Sequence, residues 1–332
     1  MLNELSLVEL DGGIHFIDIG SSGELNRYWT ALISYLHLYA FDPNIRECER
    51  LNKLSNRFAS AIYLPYAIAG NSGEFTLYET DDPFCWSLLE PDSERLERFS
   101  FGHKFNVSAT SNLNAKTLSQ VNELHKTDID IIKSDTQGLE LPILSSAKSF
   151  VDSAIVIEVE TGFYSNYKNE TTFHEISRFL QDRNFRLFDI NSNHRIARRN
   201  KFSNVTRSQE IMWCESIWIK DYIDFFKHHP FNLSRSKALK VLLLCANHGC
   251  IDYGLELAYF FYEKGLLTQE ELKQLHSRQA WQLSQQRNFM NQSKIFLQKI
   301  LRLLPNRVLK NIADVLLEVT HTDHPLKNKS IR

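Results

Sequence analysis

Cysteine is scarce here: Cys48, Cys85, Cys214, Cys245 and Cys250 lie scattered over 332 positions without one Cys-x-x-Cys pair. That odd, dispersed set excludes a disulfide framework and a cysteine zinc site, and leaves buried reduced thiols as the expectation. An excess of one charge is lacking too. The 38 basic and 40 acidic residues nearly cancel, so no global field draws the chain to nucleic acid or to an anionic membrane, and any basic site must be local. Long apolar runs are missing: "LKVLLLCA" (239–246) falls far short of the ~20 residues that a membrane-spanning helix needs. The opening "MLNELSLVELDGG" has neither a cationic head nor a long apolar core, so it reads as neither signal nor transit peptide, and the expected location is cytoplasmic. His228-His229 and the other histidines show no metal-ligand spacing.

What is present is a 43% hydrophobic chain, long enough to bury a large core in one domain or two. Seven apolar runs read as strands: 14–19, 38–42, 61–68, 129–135, 154–160, 185–190 and 210–220. Between most of them lie helical patterns such as "FHEISRFLQDRN". Such alternation predicts a doubly wound, mostly parallel seven-stranded α/β sheet with helices on both faces. Two insertions interrupt it. Residues 70–115 contain "GEFTLYET" and "FGHKFNVSAT", expected as extra strands around a "CWSLLEP" loop, and 161–170, "TGFYSNYKNE", has the composition of a substrate lid. After Lys220 the strand-like runs stop. Gly265 is placed to end one helix, and Thr268 with Glu271 forms a capping-box pattern for the next. The expected division is therefore 1–220 for the α/β domain and 221–332 for an all-helical C-terminal extension, serving packing, dimerisation or a partner.

The stretch "IHFIDIGSSGELNRYW" is a strand, a Gly20-x-x-Gly23 loop and a helical pattern beginning at Glu24. Dinucleotides, phosphates and nucleosides all use that layout. A pyrophosphate is disfavoured, because the third glycine of the dinucleotide fingerprint is absent and Asp18 and Glu24 flank the loop with like charge. A cationic ligand is favoured instead. S-adenosylmethionine, with an ammonium, a sulfonium and no phosphate, meets that requirement. Asp42 follows Asp18 by 24 positions, close to the ~20-residue offset of a ribose-binding carboxylate in such folds, and "PYAIAG" can supply apolar contact to adenine. Taken singly, the Gly-x-x-Gly turn could merely join two elements and Asp42-Pro43 could be an ordinary turn. Their combination at this spacing carries the inference.

A second stretch, "DIDIIKSDTQGLELPILSSA" (128–147), brings Lys133 and Asp135 to a strand end, with Gly138 making the exit and Glu140 opening a helix. It resembles the signature of the FkbM family of S-adenosylmethionine-dependent methyltransferases: Lys-x-Asp, an acidic residue or Gln, Gly, then Glu on a helix. "FIDIGSSGELNRYW", "FDP", "AIAGNSGEFTLYET", "CWSLLEPD", "IEVETGFYSNYKNETTFHEISRFLQDRNFRLFDI" and "IMWCESIWIKD" resemble other segments of that family in the same order, over roughly 14–221. Trp86 stands where a serine is common, and Ser145-Ser146 replaces the usual residue-Gly.

The resemblance implies a Rossmann-like class I methyltransferase domain that methylates a hydroxyl of a sugar or small metabolite, in glycan or natural-product biosynthesis. It places the methionine end of the cofactor on Asp18, Gly20, Ser22 and Gly23, the ribose on Asp42 with Pro43, and the adenine on Ala67 and Ile68. Asp135 becomes the first candidate for base or acceptor-orienting group, followed by Glu158 and Glu160, which alternation puts on one strand face. Either glutamate could instead pair with Lys133 or an arginine. A divalent cation on Asp135 and Glu158 is an option that nothing in the spacing supports.

The basic segment 194–207, with Arg195, Arg198, Arg199, Lys201 and Arg207, reads as a solvated loop or as a contact for a phosphorylated sugar. No nucleic-acid partner or membrane span is expected. Residues 221–332 would form a homodimer contact or meet a glycan-synthesis partner. Two rival readings are a catalytically inactive scaffold acting through the helical module, and an NAD-dependent oxidoreductase, which the acidic loop disfavours.

Overall fold

The computed structural model describes residues 10–23, 25–125, 127–199 and 209–276. Residues 1–9, Glu24, Lys126, 200–208 and 277–332 lie outside them, so the flanking charge at Glu24, the cations Lys201 and Arg207, and the end of the helical extension receive no structural account.

The main sheet has seven strands: β1 (Ile14–Ile19), β2 (Leu36–Phe41), β3 (Ser60–Leu64), β7 (Ile131–Ser134), β8 (Val156–Gly162), β9 (Phe185–Ile196) and β10 (Glu210–Lys220), in the spatial order β3-β2-β1-β7-β8-β10-β9. The four pairings from β3 through β8 are parallel. β10 runs antiparallel to both β8 and β9, so the sheet is mixed. Consecutive β9 and β10 pair directly with each other, and an antiparallel neighbour needs no helical crossover. The remaining strands, β4 (Ala67–Ile68), β5 (Gly73–Thr80) and β6 (Val107–Lys116), form a separate three-stranded sheet from the first insertion. The expected strand 61–68 is broken into β3 and β4 around Pro65, which has no amide hydrogen for a ladder.

Alternation along the strands splits the core in two. Ile17, Ile19, Ile132, Ile157 and Val159 face one way, onto α3 (Glu140–Ser146), α4 (Lys148–Ser153) and α5 (Phe173–Gln181). Two short helices, α1 (Ile45–Asn52) and α2 (Ser93–Leu96), precede these in the chain. Ile14, Phe16, Leu38, Ile131, Val156 and Ile217 face the other way. They pack in one continuous core with α7 (Arg235–Asn247) and α8 (Ile251–Glu263), which follow α6 (Tyr222–His228) and precede α9 (Gln269–His276). The composition changes at Lys220, yet packing runs across that point. Every side chain from Ala238 to Ala246 is buried, as a helix apolar on all sides requires. Lys240 is reconciled with burial by Asp130, 3.0 Å away, which Lys237 also meets at 2.8 Å.

The helical pattern expected from Glu24 yields no α-helix among the described residues between β1 and β2. Two 3₁₀ turns form instead, Arg27–Ala31 and Ile33–Tyr35. Trp29, Leu32 and Tyr35 are all buried, and their three-residue repeat stacks one face of a 3₁₀ helix rather than an α-helix. Asn26 starts the first turn by accepting the Tyr28 amide. At the other end of the chain, the Thr268–Glu271 capping box forms as expected, with bonds of 2.7 and 3.3 Å, and Gly265 exits α8 at φ +74°.

Candidate active site

Strand order reverses between β1 and β7, where open α/β sheets bind ligands beyond the carboxyl ends of their strands. There the Gly20 and Ser21 amides both donate to the Phe41 carbonyl, at 2.9 and 3.1 Å, folding the loop over the end of β2. Gly20 sits at φ +79°, and a Cβ on it would lie 1.8 Å from the Asp135 carbonyl oxygen. Conformation and contact therefore both demand glycine. Gly23, at φ +92°, has open space around it and donates its amide to Glu47 Oε1 of α1 at 3.2 Å. Ser22 is exposed, as is Pro43. Asp42 is half-buried at the end of β2 and accepts the Asn44 amide at 2.8 Å; burial pushes its carboxyl up, against that hydrogen bond. Ala67 and Ile68 are buried in β4 beside Ala115 and Lys116.

Beneath the loop, three adjacent strands carry a charged row in register: Asp18 on β1, Lys133 on β7 and Glu158 on β8. Lys133 Nζ lies 3.0 Å from Asp18 Oδ1. Glu158 is buried and accepts a hydrogen bond from the Tyr28 hydroxyl. Burial pushes its carboxyl up to about 7, against the pull of Tyr28 and Lys133. His248, just past α7, places Nε2 3.8 Å from Glu158 Oε1 and meets the Tyr28 and Trp29 rings edge-on. Burial lowers the imidazole to about 3, so the ring is neutral and the approach is not an ion pair.

One row higher, Asp135 donates its amide to Ile19 at 3.0 Å, and Glu160 pairs across the sheet with Glu215 of β10. The structure thus brings Asp135 and Glu160 together at the sheet's edge and sets Glu158 two residues deeper. Gln137 joins the upper pair: its Nε2 lies 3.2 Å from Asp135 Oδ1 and 3.4 Å from Glu160 Oε1. Glu140 holds this exit loop by accepting the Thr136 amide (2.8 Å), the Thr136 hydroxyl (3.0 Å) and the Gly138 amide (3.1 Å). Burial raises it to about 7 in spite of these donors.

The two insertions strap the same loop. Ser87 of "CWSLLEP" donates its hydroxyl to the Gln137 carbonyl at 2.7 Å. Tyr167, 1% exposed, lies 3.2 Å from Gln137 Oε1 and 2.8 Å from the Cys85 carbonyl. Segment 161–170 is therefore partly internal, with Glu170 accepting the Asn166 and Tyr167 amides. Sequence reasoning did not reach Tyr28, Gln137, Tyr167 or His248. Gln137 carried a signal as the residue between a strand-end Asp and a loop glycine, and Tyr28 and Tyr167 lay within segments singled out as the cofactor loop and the lid. In the basic segment, Arg198 pairs with Glu210 at 2.6 Å. Among the described residues no group of three or more His, Cys, Asp or Glu side chains is placed to hold a metal ion, and no helix is long and apolar enough to cross a membrane.

A glycine loop on β1, a reversal of strand order beside it and an antiparallel strand inserted before the sheet's edge define a Rossmann-like α/β fold, in which the switch point is the candidate site. Residues 24–187 match the model of the methyltransferase FkbM domain. The chain is a member of the FkbM methyltransferase family.

Two solved structures show distant likeness. A TehB-like SAM-dependent methyltransferase from Corynebacterium glutamicum is 10% identical with a TM-score of 0.31, covering 65% of this chain and 87% of that one. Sp1610 of Streptococcus pneumoniae, a candidate tRNA (m1A22) methyltransferase, is 10% identical with a TM-score of 0.30, covering 93% and 96%. No curated protein matches.

Proposed function

We propose that the protein transfers a methyl group from S-adenosylmethionine to a hydroxyl of a sugar or other small metabolite. The observation that carries this reading is the carboxylate lining beneath the glycine loop, with Asp135 and Glu160 meeting at Gln137 and Asp18, paired with Lys133, in the row below. Such a lining attracts a cation and repels a pyrophosphate. When bound, S-adenosylmethionine supplies an electrophilic methyl on a positively charged sulfur.

Gly20 and Gly23 shape the loop that faces the methionine end, Asp42 accepts from the ribose hydroxyls, and Ala67 and Ile68 flank the adenine. Asp135 and Glu160 sit at the edge where the acceptor enters. One of them orients the acceptor hydroxyl and takes its proton as the oxygen–methyl bond forms, leaving methyl ether, neutral thioether and a protonated carboxyl. The strapped insertions align the reactants and keep water out, which supplies much of the rate in displacements of this kind. Glu158 lies deeper and holds Tyr28, so its part is to fix the loop rather than to touch the acceptor. The protein would act in the cytoplasm on glycan or natural-product precursors.

Calorimetry with S-adenosylmethionine and with NAD tests the reading. Expected are micromolar binding of the former, none of the latter, and at least tenfold weaker binding in Asp42→Ala and Gly20→Ala. The Cβ that alanine adds at position 20 would lie 1.8 Å from the Asp135 carbonyl oxygen. Absence of binding, or affinity indifferent to both substitutions, refutes it.

A further inference from the structure

His248 follows α7 at a place where an apolar residue would cost less. Its side chain is fully buried, and neither ring nitrogen has a hydrogen-bond partner. Native interiors seldom leave both polar atoms of one ring unpaired, so such a group needs an explanation. Packing does not supply it. The ring meets Tyr28 and Trp29 edge-on at 5.7 and 5.1 Å, contacts that a phenyl ring would make without the polar cost. The backbone beneath it is fixed as well: the amides of Gly249 and Cys250 donate to the carbonyls of Ala246 and Cys245 at 3.1 and 2.8 Å, with Gly249 at φ +77°. The helix end therefore delivers the imidazole to one spot.

That spot faces Glu158. Nε2 stands 3.8 Å from Oε1, the same oxygen that accepts from the Tyr28 hydroxyl. The gap is about 1 Å too long for a hydrogen bond, and bonds within such sites are often long without ligand and tighten once it binds. Burial keeps the imidazole neutral, so it carries one N–H and one lone pair. A lone pair turned to a carboxylate is repelled, which leaves the proton on Nε2. From the other elements Lys133 of β7, Asp18 of β1 and Glu215 of β10 also act on Glu158, while the Trp29 ring beside His248 carries no charge.

We propose that His248 is a positioning residue whose Nε2–H is the second donor to the Glu158 carboxylate, beside Tyr28, and that this grip fixes the glycine loop for the methyl donor. This rests on the proposed use of S-adenosylmethionine. Tyr28 lies in the first 3₁₀ turn after that loop, so the helical layer reaches the cofactor site through it. A protonated Glu158 is a poorer acceptor, and the grip then slackens. Cofactor affinity accordingly falls on acidification around pH 7, to which burial has raised this carboxyl. A ring that only filled space would leave that midpoint where it is.

Nitrogen NMR of the wild-type protein with S-adenosylmethionine bound reads the His248 tautomer, its signals identified by their loss in His248→Gln. A neutral ring protonated on Nε2 is expected; a proton on Nδ1 overturns the inference, and this arm holds even if a substituted protein fails to fold. Calorimetry with S-adenosylmethionine from about pH 5.5 to about pH 9 then compares wild type, His248→Phe and His248→Gln. Phenylalanine keeps the edge contacts and has no donor, whereas glutamine brings a donor back. The expected result is an affinity midpoint raised by about one pH unit in His248→Phe and nearly restored in His248→Gln. An unchanged midpoint in folded His248→Phe overturns the inference while leaving the proposed function standing. Failure of wild type to bind S-adenosylmethionine at any pH removes the proposed function, and this inference with it.

Discussion

At the scale of single residues, the depth of a carboxylate decides its role. Glu158 and Glu160 share a strand face and differ by two positions, yet one is buried against Tyr28 and the other lies at the edge beside Gln137. Because burial lifts Glu158 to about 7 from an ordinary 4.5, the folded protein keeps a proton between pH 4.5 and 7 that the unfolded chain releases. This group therefore adds stability as pH falls through that window and costs stability above pH 7. His15 and His248, lowered by burial to about 4 and about 3, pull the other way below pH 6.5, so the difference between two proteins is the clean measure. Glu158→Gln keeps an acceptor for Tyr28 and carries no charge. Thermal melts should show it gaining stability over wild type at pH 8, of order 1–3 kcal/mol, with the gain shrinking as pH falls and vanishing below pH 4.5. A gain independent of pH would contradict the assignment. That two-residue difference in depth was not legible in the sequence, where both glutamates read as equal candidates. Likewise Gln137 finds Ser87 and Tyr167 at separations of 50 and 30 residues, and no local pattern encodes such meetings.

At the scale of elements, period-2 patterning located strands well where a run was bounded by turns. β1 and β10 fall at 14–19 and 210–220, the residues read from the sequence. The pattern misled between the glycine loop and β2, because "ELNRYWTALISY" fits both a 3.6-residue and a 3-residue repeat, and the tertiary surface chose the latter. Helix α7 shows the reverse: from Ala238 to Ala246 it has no exposed face, Lys240 included, because the sheet lies on one side and α8 on another. Leu242 is fully buried there. Leu242→Ala should lower unfolding free energy by about 2–5 kcal/mol in denaturant titration, through lost burial and the cavity left behind. A loss under 1 kcal/mol would contradict that enclosure.

At the scale of the whole molecule, the compositional break at Lys220 does not coincide with a break in packing. The sheet face carrying Phe16, Leu38 and Ile131 is covered by α7 and α8, whereas the segment after β1 supplies only two 3₁₀ turns. Removing 221–332 would uncover that face and take away His248 with it. The truncated chain should therefore aggregate or lose its cooperative melt in sizing and circular dichroism, whereas a detachable partner-binding module would leave a folded, cofactor-binding remainder.

That arrangement also orders events in time. A ribosome makes β1 first and α8 more than 230 residues later, so every residue proposed for binding and transfer leaves the exit tunnel before the layer that seats Tyr28 and Trp29 exists. Loop closure over such a span is slow, and its exposed apolar face needs protection meanwhile. Chaperone demand during synthesis should therefore peak just before α7 and α8 emerge to cover that face.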